Sequence, residues 1–424
     1  MNAEHFTTTR TLVRGFANAM NLVSPEVQNH HEKVAYFAYR LAEAMGLNET
    51  ERQLAFFGAL FHDIGGFLNT GTVSLAELER HAKTVSTAGA ALLKSFRSTR
   101  PFAEIVEGSQ TPWQAFRLIP SKIRNTLQIS QIVHLADAVT LLMNDTDSAL
   151  NQVPRIRSLL HCAENREFGS DVLSAFDRVA EKEIVWLDLF YDPDRFLDFM
   201  PGDRPVSLDQ TLLFTEFMSR IIDFRSPFTA MHSAGVAATA KALAECSGMS
   251  EEDCKVMQIA GFLHDIGKLR IPNAILEKPG SLSDSEFNII KEHSYYTFII
   301  LRELDGFERI TEWAAYHHEK LDGSGYPFHL RADELSAGAR IMAVADIFSA
   351  ITEDRPYRKG MRKEKALAVL RGDAGKGKID RDTVELLADR YETVNERRRA
   401  ASYAASRNYR KSLEQAERTE RSNV

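Results

Sequence analysis

Apolar residues recur along this chain at spacings of three and four, the mark of amphipathic helices, and the alternation of a half-buried strand is nearly absent. The periodicity predicts helices near residues 8–22, 30–45, 50–62, 74–95, 124–144 and 169–190. It resumes near 208–224, 230–246, 251–264, 284–303, 307–318, 337–352 and 362–371. Between the two sets stand Pro193, Pro201-Gly202 and Pro205, punctuation that ends helices and separates domains. The expectation is an all-α protein of two helical domains, residues 1–200 and 201–392. Residues 393–424 are expected to form a charged helical or disordered tail. That tail is rich in Arg, Glu and Ala and shows no clear apolar stripe, so a solvated role is expected of it.

The two halves repeat each other. Ser24-Pro25 recurs as Ser226-Pro227, His30 as His232, and His62-Asp63 as His264-Asp265, all offset by 202 residues. GALFHDIGG reads against GFLHDIGK, and LAEAMGL against LAECSGM. Past the His-Asp pair the register slips, so that His81 is matched with His293 and Ala136-Asp137 with Ala345-Asp346. Duplication of one helical module accounts for this density of matches.

Composition narrows the class. A chain of 424 residues exceeds one ordinary core, and an apolar fraction of 44% is that of a soluble globular protein. No apolar run approaches the roughly 18–20 residues of a membrane span, and no apolar signal segment follows Arg10 and Arg14. Cys162, Cys246 and Cys254 lack the spacing of a disulfide or thiolate-metal framework, so a cytoplasmic location is the expectation. A net charge of −7 argues against nucleic-acid polymers and anionic membranes as partners. An anionic small substrate would have to be met by local positive charge or by metal ions.

The candidate chemistry gathers in the second half. His264 and Asp265 end an apolar helix, Gly267 is placed to stop it, and Lys268 follows within a turn. Adjacent His and Asp offer a nitrogen and an oxygen ligand, and both carboxylate oxygens can bridge two ions. With His232, His293, His317, His318 and Asp346 the candidates number seven, too many for one ion and suited to two that share a bridge. Ligands this far apart in sequence fit a helical bundle that projects side chains into a common centre. The mixed imidazole and carboxylate set favours Fe, Mn, Zn or Ni over Ca or Mg. Two ions roughly 3.5–4 Å apart are a recurring solution for phosphoester hydrolysis, and Lys268 could add positive charge there or donate a proton.

HDIGK, HHEKLDGSGYP and AVADIFSAITEDRPYRKG closely resemble the motifs of the HD-GYP family, a branch of the HD superfamily, over about Asp209 to Leu370. The resemblance implies two tandem HD-type bundles, the second an HD-GYP domain, and a phosphodiesterase that linearises cyclic di-GMP or 3′,3′-cyclic GMP-AMP. It implies His232, His264, Asp265 and Asp346 on one divalent ion and Asp265, His293, His317 and His318 on the other. Iron or manganese is the expected metal, with nickel or zinc as alternatives. By the same resemblance Lys268 and Asp265 are catalytic, and Arg355, Arg358 and Tyr326 contact substrate. Some members hold a third ion through a glutamate four residues before the first His; Phe228 stands there, so two ions are expected.

The first module keeps His30, His62, Asp63 and Asp137, the ligand set of simpler one-ion HD proteins, as a vestigial metal site. It reads GSQTPWQAF where the His-His pair and GYP turn belong, and Gly66 replaces the lysine. A degenerate, regulatory or dimer-forming role is expected, with a homodimer or a signalling protein as its partner. Two rival functions remain for the chain: a cyclic-dinucleotide receptor without turnover, and a nucleotide phosphohydrolase of the wider superfamily.

Overall fold

The computed structural model describes residues 6–68, 74–116, 124–144, 146–223, 229–278, 280–354 and 359–422. The chain divides into two compact units, one containing Met1–Leu22 and Arg204–Arg410, the other Val23–Asn69 and Val73–Asp203. Helices make up nearly all the regular structure. Among the described residues the sheet is a two-residue pairing of Thr7–Thr8 with Pro205–Val206, antiparallel, with Thr7 opposite Val206. No described helix is long and apolar enough to cross a membrane.

In the second-half unit, polar caps set where each helix begins and hence which residues end it. Ser250 accepts from the Asp253 amide at the start of Glu251–Leu263, whose far end delivers His264. Ser283 and Glu286 form a capping box at the head of Asp284–Leu301, the helix that carries His293. Ser336 caps Ala337–Thr352, which carries Asp346. Thr229–Cys246 packs against both Glu251–Leu263 and Ala337–Thr352, around fully buried Phe217, Phe307 and Phe348. Gly267 is needed for close approach: a Cβ there would lie 2.0 Å from the His293 carbonyl oxygen.

Two boundaries differ from the expectation of domains at 1–200, 201–392 and 393–424. Residues up to Leu22 cluster with the second half because the helix Thr9–Met20 buries Leu12, Val13, Phe16 and Met20, and Gly15 lies against Leu304. The tail begins inside a continuous helix, Tyr391–Ser422, whose first turns are part of the second-half core. Tyr391, Val394, Arg398 and Ser402 are buried, the Arg398 guanidinium lies over the Phe348 ring, and Ser402 donates to the Met231 carbonyl at 3.0 Å. An arginine guanidinium lying over an aromatic ring makes a buried line that reads as polar in the sequence.

The first-half unit packs His30–Ala44, Glu49–Leu60, Ala82–Lys94, Arg124–Leu142 and Ser170–Ala180 around Phe37, Phe56, Phe176 and Trp186. The periodic stretch 74–95 is two helices, Leu75–Arg80 and Ala82–Lys94, parted at His81. The stretch 169–190 likewise parts at Lys182.

A candidate metal-dependent active site

The seven expected ligands of the second half converge. Asp265 sits at their centre with its two oxygens facing different ways. Its Oδ2 lies 3.2 Å from His264 Nε2 and 3.9 Å from His232 Nε2; its Oδ1 lies 3.5 Å from His293 Nε2 and 3.9 Å from His317 Nε2. On the first side, Asp346 Oδ1 lies 3.2 Å from His232 Nε2 and 3.9 Å from His264 Nε2. His232, His264 and Asp346 bring one donor atom each within 4.8 Å of one another, and so do His293, His317 and His318. His318 lies 3.9 Å from Asp346 Oδ2 and sits between the tilted rings of His317 and Tyr326, with ring centroids 4.0 and 4.9 Å away.

Local helix geometry aims the imidazoles. In His264, His293 and His317, Nδ1 donates to the carbonyl three residues back (Gly261, Ile290 and Ala314) at 2.8, 2.5 and 2.6 Å. A carbonyl can only accept, so a proton sits on Nδ1 and Nε2 is the atom turned to the centre. Burial, reinforced by the neighbouring imidazoles, pushes His293 down to about 3 and His317 well below its ordinary value. Burial also pushes His318 down, to about 4, although Asp346 and Asp265 oppose it. These three rings are therefore neutral, the form that binds metal. Burial works to raise the Asp265 carboxyl, but His264 and Lys268 outweigh it and hold Asp265 well below the carboxylate range.

This donor set fits a metal centre. His264 Nε2 and Asp265 Oδ1 are buried with no hydrogen-bond partner among the described residues, a cost that a cation would remove. Lys268 Nζ donates to Asp265 Oδ2 at 2.5 Å. The GYP loop is clamped by buried Glu319, which accepts from the Phe328 and Leu330 amides at 2.7 and 3.0 Å. Arg355, Arg358 and Phe228 lie outside the described residues.

Glu353 is a site residue that the motif reading passes over. It is 6% exposed, and its Oε2 lies 3.3 Å from His232 Nδ1, on the side of the ring away from the centre. Burial opposes a charged His232, yet Asp346 and Glu353 raise it to about 10. A carboxylate behind a ligating imidazole orients the ring and strengthens it as a donor. One acid in the charged run after Thr352 carries no local sign of this contact; only the fold brings it to His232.

The first-half cluster is a smaller version of the same construction. His30 Nε2 lies 3.3 Å from Asp137 Oδ1 and 3.7 Å from Asp63 Oδ2; His62 Nε2 lies 3.2 Å from Asp63 Oδ2 and 3.5 Å from Asp137 Oδ1. His62 Nδ1 donates to the Ala59 carbonyl at 2.7 Å, repeating the aim of His264. Burial opposes charge on His30 and His62, but Asp63 and Asp137 outweigh it and raise both. Behind His30, Nδ1 meets the Thr140 hydroxyl at 3.3 Å rather than a carboxylate.

The register past the His-Asp pair differs from the expected match of His81 with His293. A Cβ on Gly65 would meet the Val85 carbonyl and the Gly89 amide, just as one on Gly267 would meet those of His293 and Thr297. The counterpart of His293 is thus Val85, and His81 is exposed. Gln110 donates to Asp137 Oδ2 at 3.1 Å, where His318 faces Asp346 Oδ2.

A family model described as HD domain matches residues 216–383, and another of that description matches residues 4–142. The chain is 31% identical over 392 residues to a 3′3′-cGAMP-specific phosphodiesterase of Vibrio cholerae, covering 88% of this chain and 89% of that one. It is 39% identical over 143 residues to a cyclic di-GMP phosphodiesterase of Pseudomonas aeruginosa, covering 33% and 34%. A solved cyclic GMP-AMP-specific phosphodiesterase of V. cholerae shares the fold with a TM-score of 0.63 at 22% identity, over 91% of this chain and 98% of that one. The chain belongs to the HD-GYP family of the HD superfamily, with an additional HD domain preceding the one that bears the GYP turn.

Proposed function

We propose that the second-half unit hydrolyses a 3′,3′-linked cyclic dinucleotide, with cyclic GMP-AMP as the first reading and cyclic di-GMP as the second. The observation that carries this is Asp265, one carboxylate whose oxygens face two separate sets of imidazoles. The order of substrates rests on coverage: the relative matched across both modules is named for 3′3′-cGAMP, the one matched over a third for cyclic di-GMP. His232, His264, Asp265 and Asp346 would hold one ion, and Asp265, His293, His317 and His318 a second. The donor types favour iron or manganese, with nickel or zinc as alternatives. Bound ions supply Lewis-acid charge at the phosphodiester and lower the pKa of the attacking water.

In the reaction, water adds across one P–O3′ bond. Its oxygen joins phosphorus, and a proton goes to the departing 3′-oxygen, giving a linear dinucleotide. Lys268 brings its ammonium to the bridging carboxylate, where it meets the charge that builds on the phosphoryl oxygens. Glu353 keeps the His232 ring turned to the centre, and Tyr326, against His318, walls the site. Arg355 and Arg358 take the substrate phosphate by family resemblance. The first module serves regulation or dimerisation, because Val85, Gln110 and Gly66 stand where His293, His318 and Lys268 stand in the second.

The test is turnover by protein purified without oxygen and loaded with iron or manganese, given a panel of cyclic dinucleotides, with products identified by mass spectrometry. A linear dinucleotide supports the reading. Tight retention of unchanged nucleotide would establish the receptor instead, and hydrolysis of mononucleotides alone would establish a phosphohydrolase.

A further inference from the structure

A cyclic dinucleotide brings more than a scissile phosphate. It carries two purines and a second phosphodiester, and binding must account for each. From the metal centre a run of rings leads to the surface. His318 is the ligand-set member most open to solvent, with 28% of its side chain exposed. Tyr326 lies against it, and Phe287 meets Tyr326 edge-on, centroids 6.2 Å apart at 82°. Phe287 leaves 43% of its surface exposed, on the helix that also carries His293. Lys291, one turn on, places its ammonium 4.9 Å from the Phe287 centroid and 6.0 Å from that of Tyr326, donating to Asn288 Oδ1 at 3.2 Å.

We propose that Phe287 and Lys291 form a substrate subsite, in which a purine stacks on Phe287 and the Lys291 ammonium meets the non-scissile phosphate. This rests on the phosphodiesterase reading above. A large ring partly open to water, one ring removed from His318, costs free energy unless something covers it, and the flat faces of purines are the natural cover. A protein of net charge −7 must also supply local cations for a dianionic ligand, and Lys291 already stands against this platform. Its ammonium rests on π-faces and one amide oxygen, contacts that a phosphate outcompetes.

The experiment measures kcat and KM for 3′,3′-cyclic GMP-AMP, cyclic di-GMP and methyl p-nitrophenyl phosphate, a diester without a nucleobase. Phe287→Leu keeps an apolar side chain but removes the π-face, whereas Phe287→Trp keeps one. The Leu variant should lose on the order of 10-fold in kcat/KM for the dinucleotides relative to the small diester, through KM, and Trp should restore it. Lys291→Ala should raise KM for the dinucleotides and flatten its dependence on salt. Dinucleotide binding to the metal-depleted protein, measured calorimetrically, should weaken in parallel in the Leu variant. An unchanged ratio in the Leu variant, or an equal loss in Leu and Trp, overturns the subsite while leaving the phosphodiesterase standing. Wild-type turnover of the small diester with none of any cyclic dinucleotide overturns both.

Discussion

Replacing Lys268 with alanine removes the ammonium placed against Asp265, the proposed bridging carboxylate. Its ammonium lies 2.5 Å from Asp265 Oδ2, and its side chain is 21% exposed, so the pair is largely shielded but reachable by substrate. Only interaction that grows on the way to the transition state accelerates the reaction. A unit charge about 4 Å away, at an effective dielectric constant of about 20, interacts by about 4 kcal/mol. Roughly half to a full charge developing on the phosphoryl oxygens gives about 2–4 kcal/mol. At 1.36 kcal/mol per tenfold, a barrier rise of ~2–4 kcal/mol corresponds to a fall in kcat of about 30- to 900-fold. KM should change much less, because the ground-state ammonium is already engaged by Asp265. The assay is steady-state kinetics with metal content measured on the same preparation, and Lys268→Arg should recover part of the rate. A wild-type kcat in Lys268→Ala with metal retained would refute the argument and leave an ordinary ion pair. Loss of metal in step with kcat would show that the ammonium acts by positioning Asp265.

Changing both His317 and His318 to Ala should remove one equivalent of metal and nearly all hydrolysis, with little change in helix content by circular dichroism; wild-type turnover would end the two-ion reading. Glu353→Ala should weaken metal retention against a chelator by roughly 10- to 100-fold, and Glu353→Gln, still an acceptor, by less. Equal retention in all three proteins would remove Glu353 from the site. His264→Ala with Asp265→Ala should abolish hydrolysis, whereas His62→Ala with Asp63→Ala should keep it per folded molecule. Both pairs are buried, so thermal melting must accompany the assay, and equal loss in two folded variants would mean that the modules share a reaction.

What could be read from the chain beforehand divides along physical lines. Burying one face of a helix forces a spacing of three and four, so helices such as Glu251–Leu263 and Ala337–Thr352 stood out in the text. The buried His/Asp cluster was legible because His and Asp are rare inside cores unless something pairs with them, and here they recur at matched places in two modules. Val85 was not legible as the counterpart of His293: an apolar residue carries no chemical label, and the nearby His81 offers a false match. Glu353 was hidden for a different reason, since its partner His232 is distant in sequence and the pairing exists only once the helices have docked. Arg398 reads as solvated because sequence letters record its charge and not the Phe348 ring beneath its guanidinium.

The pairing of Thr7–Thr8 with Pro205–Val206 has a consequence for how the molecule is made. The segment bearing Thr7–Thr8 leaves the ribosome before the intervening module, yet it belongs to the unit completed after that module. Leu12, Val13, Phe16 and Met20 must therefore wait, with their apolar face uncovered, while the whole intervening module is translated and folds. The closing of that long loop is entropically modest, because its cost grows only with the logarithm of its length. The exposure in the interval is the greater hazard. An expression clone begun near residue 201 would meet the same difficulty in permanent form, with Leu304 deprived of its cover at Gly15 and the Val206 strand without its neighbour.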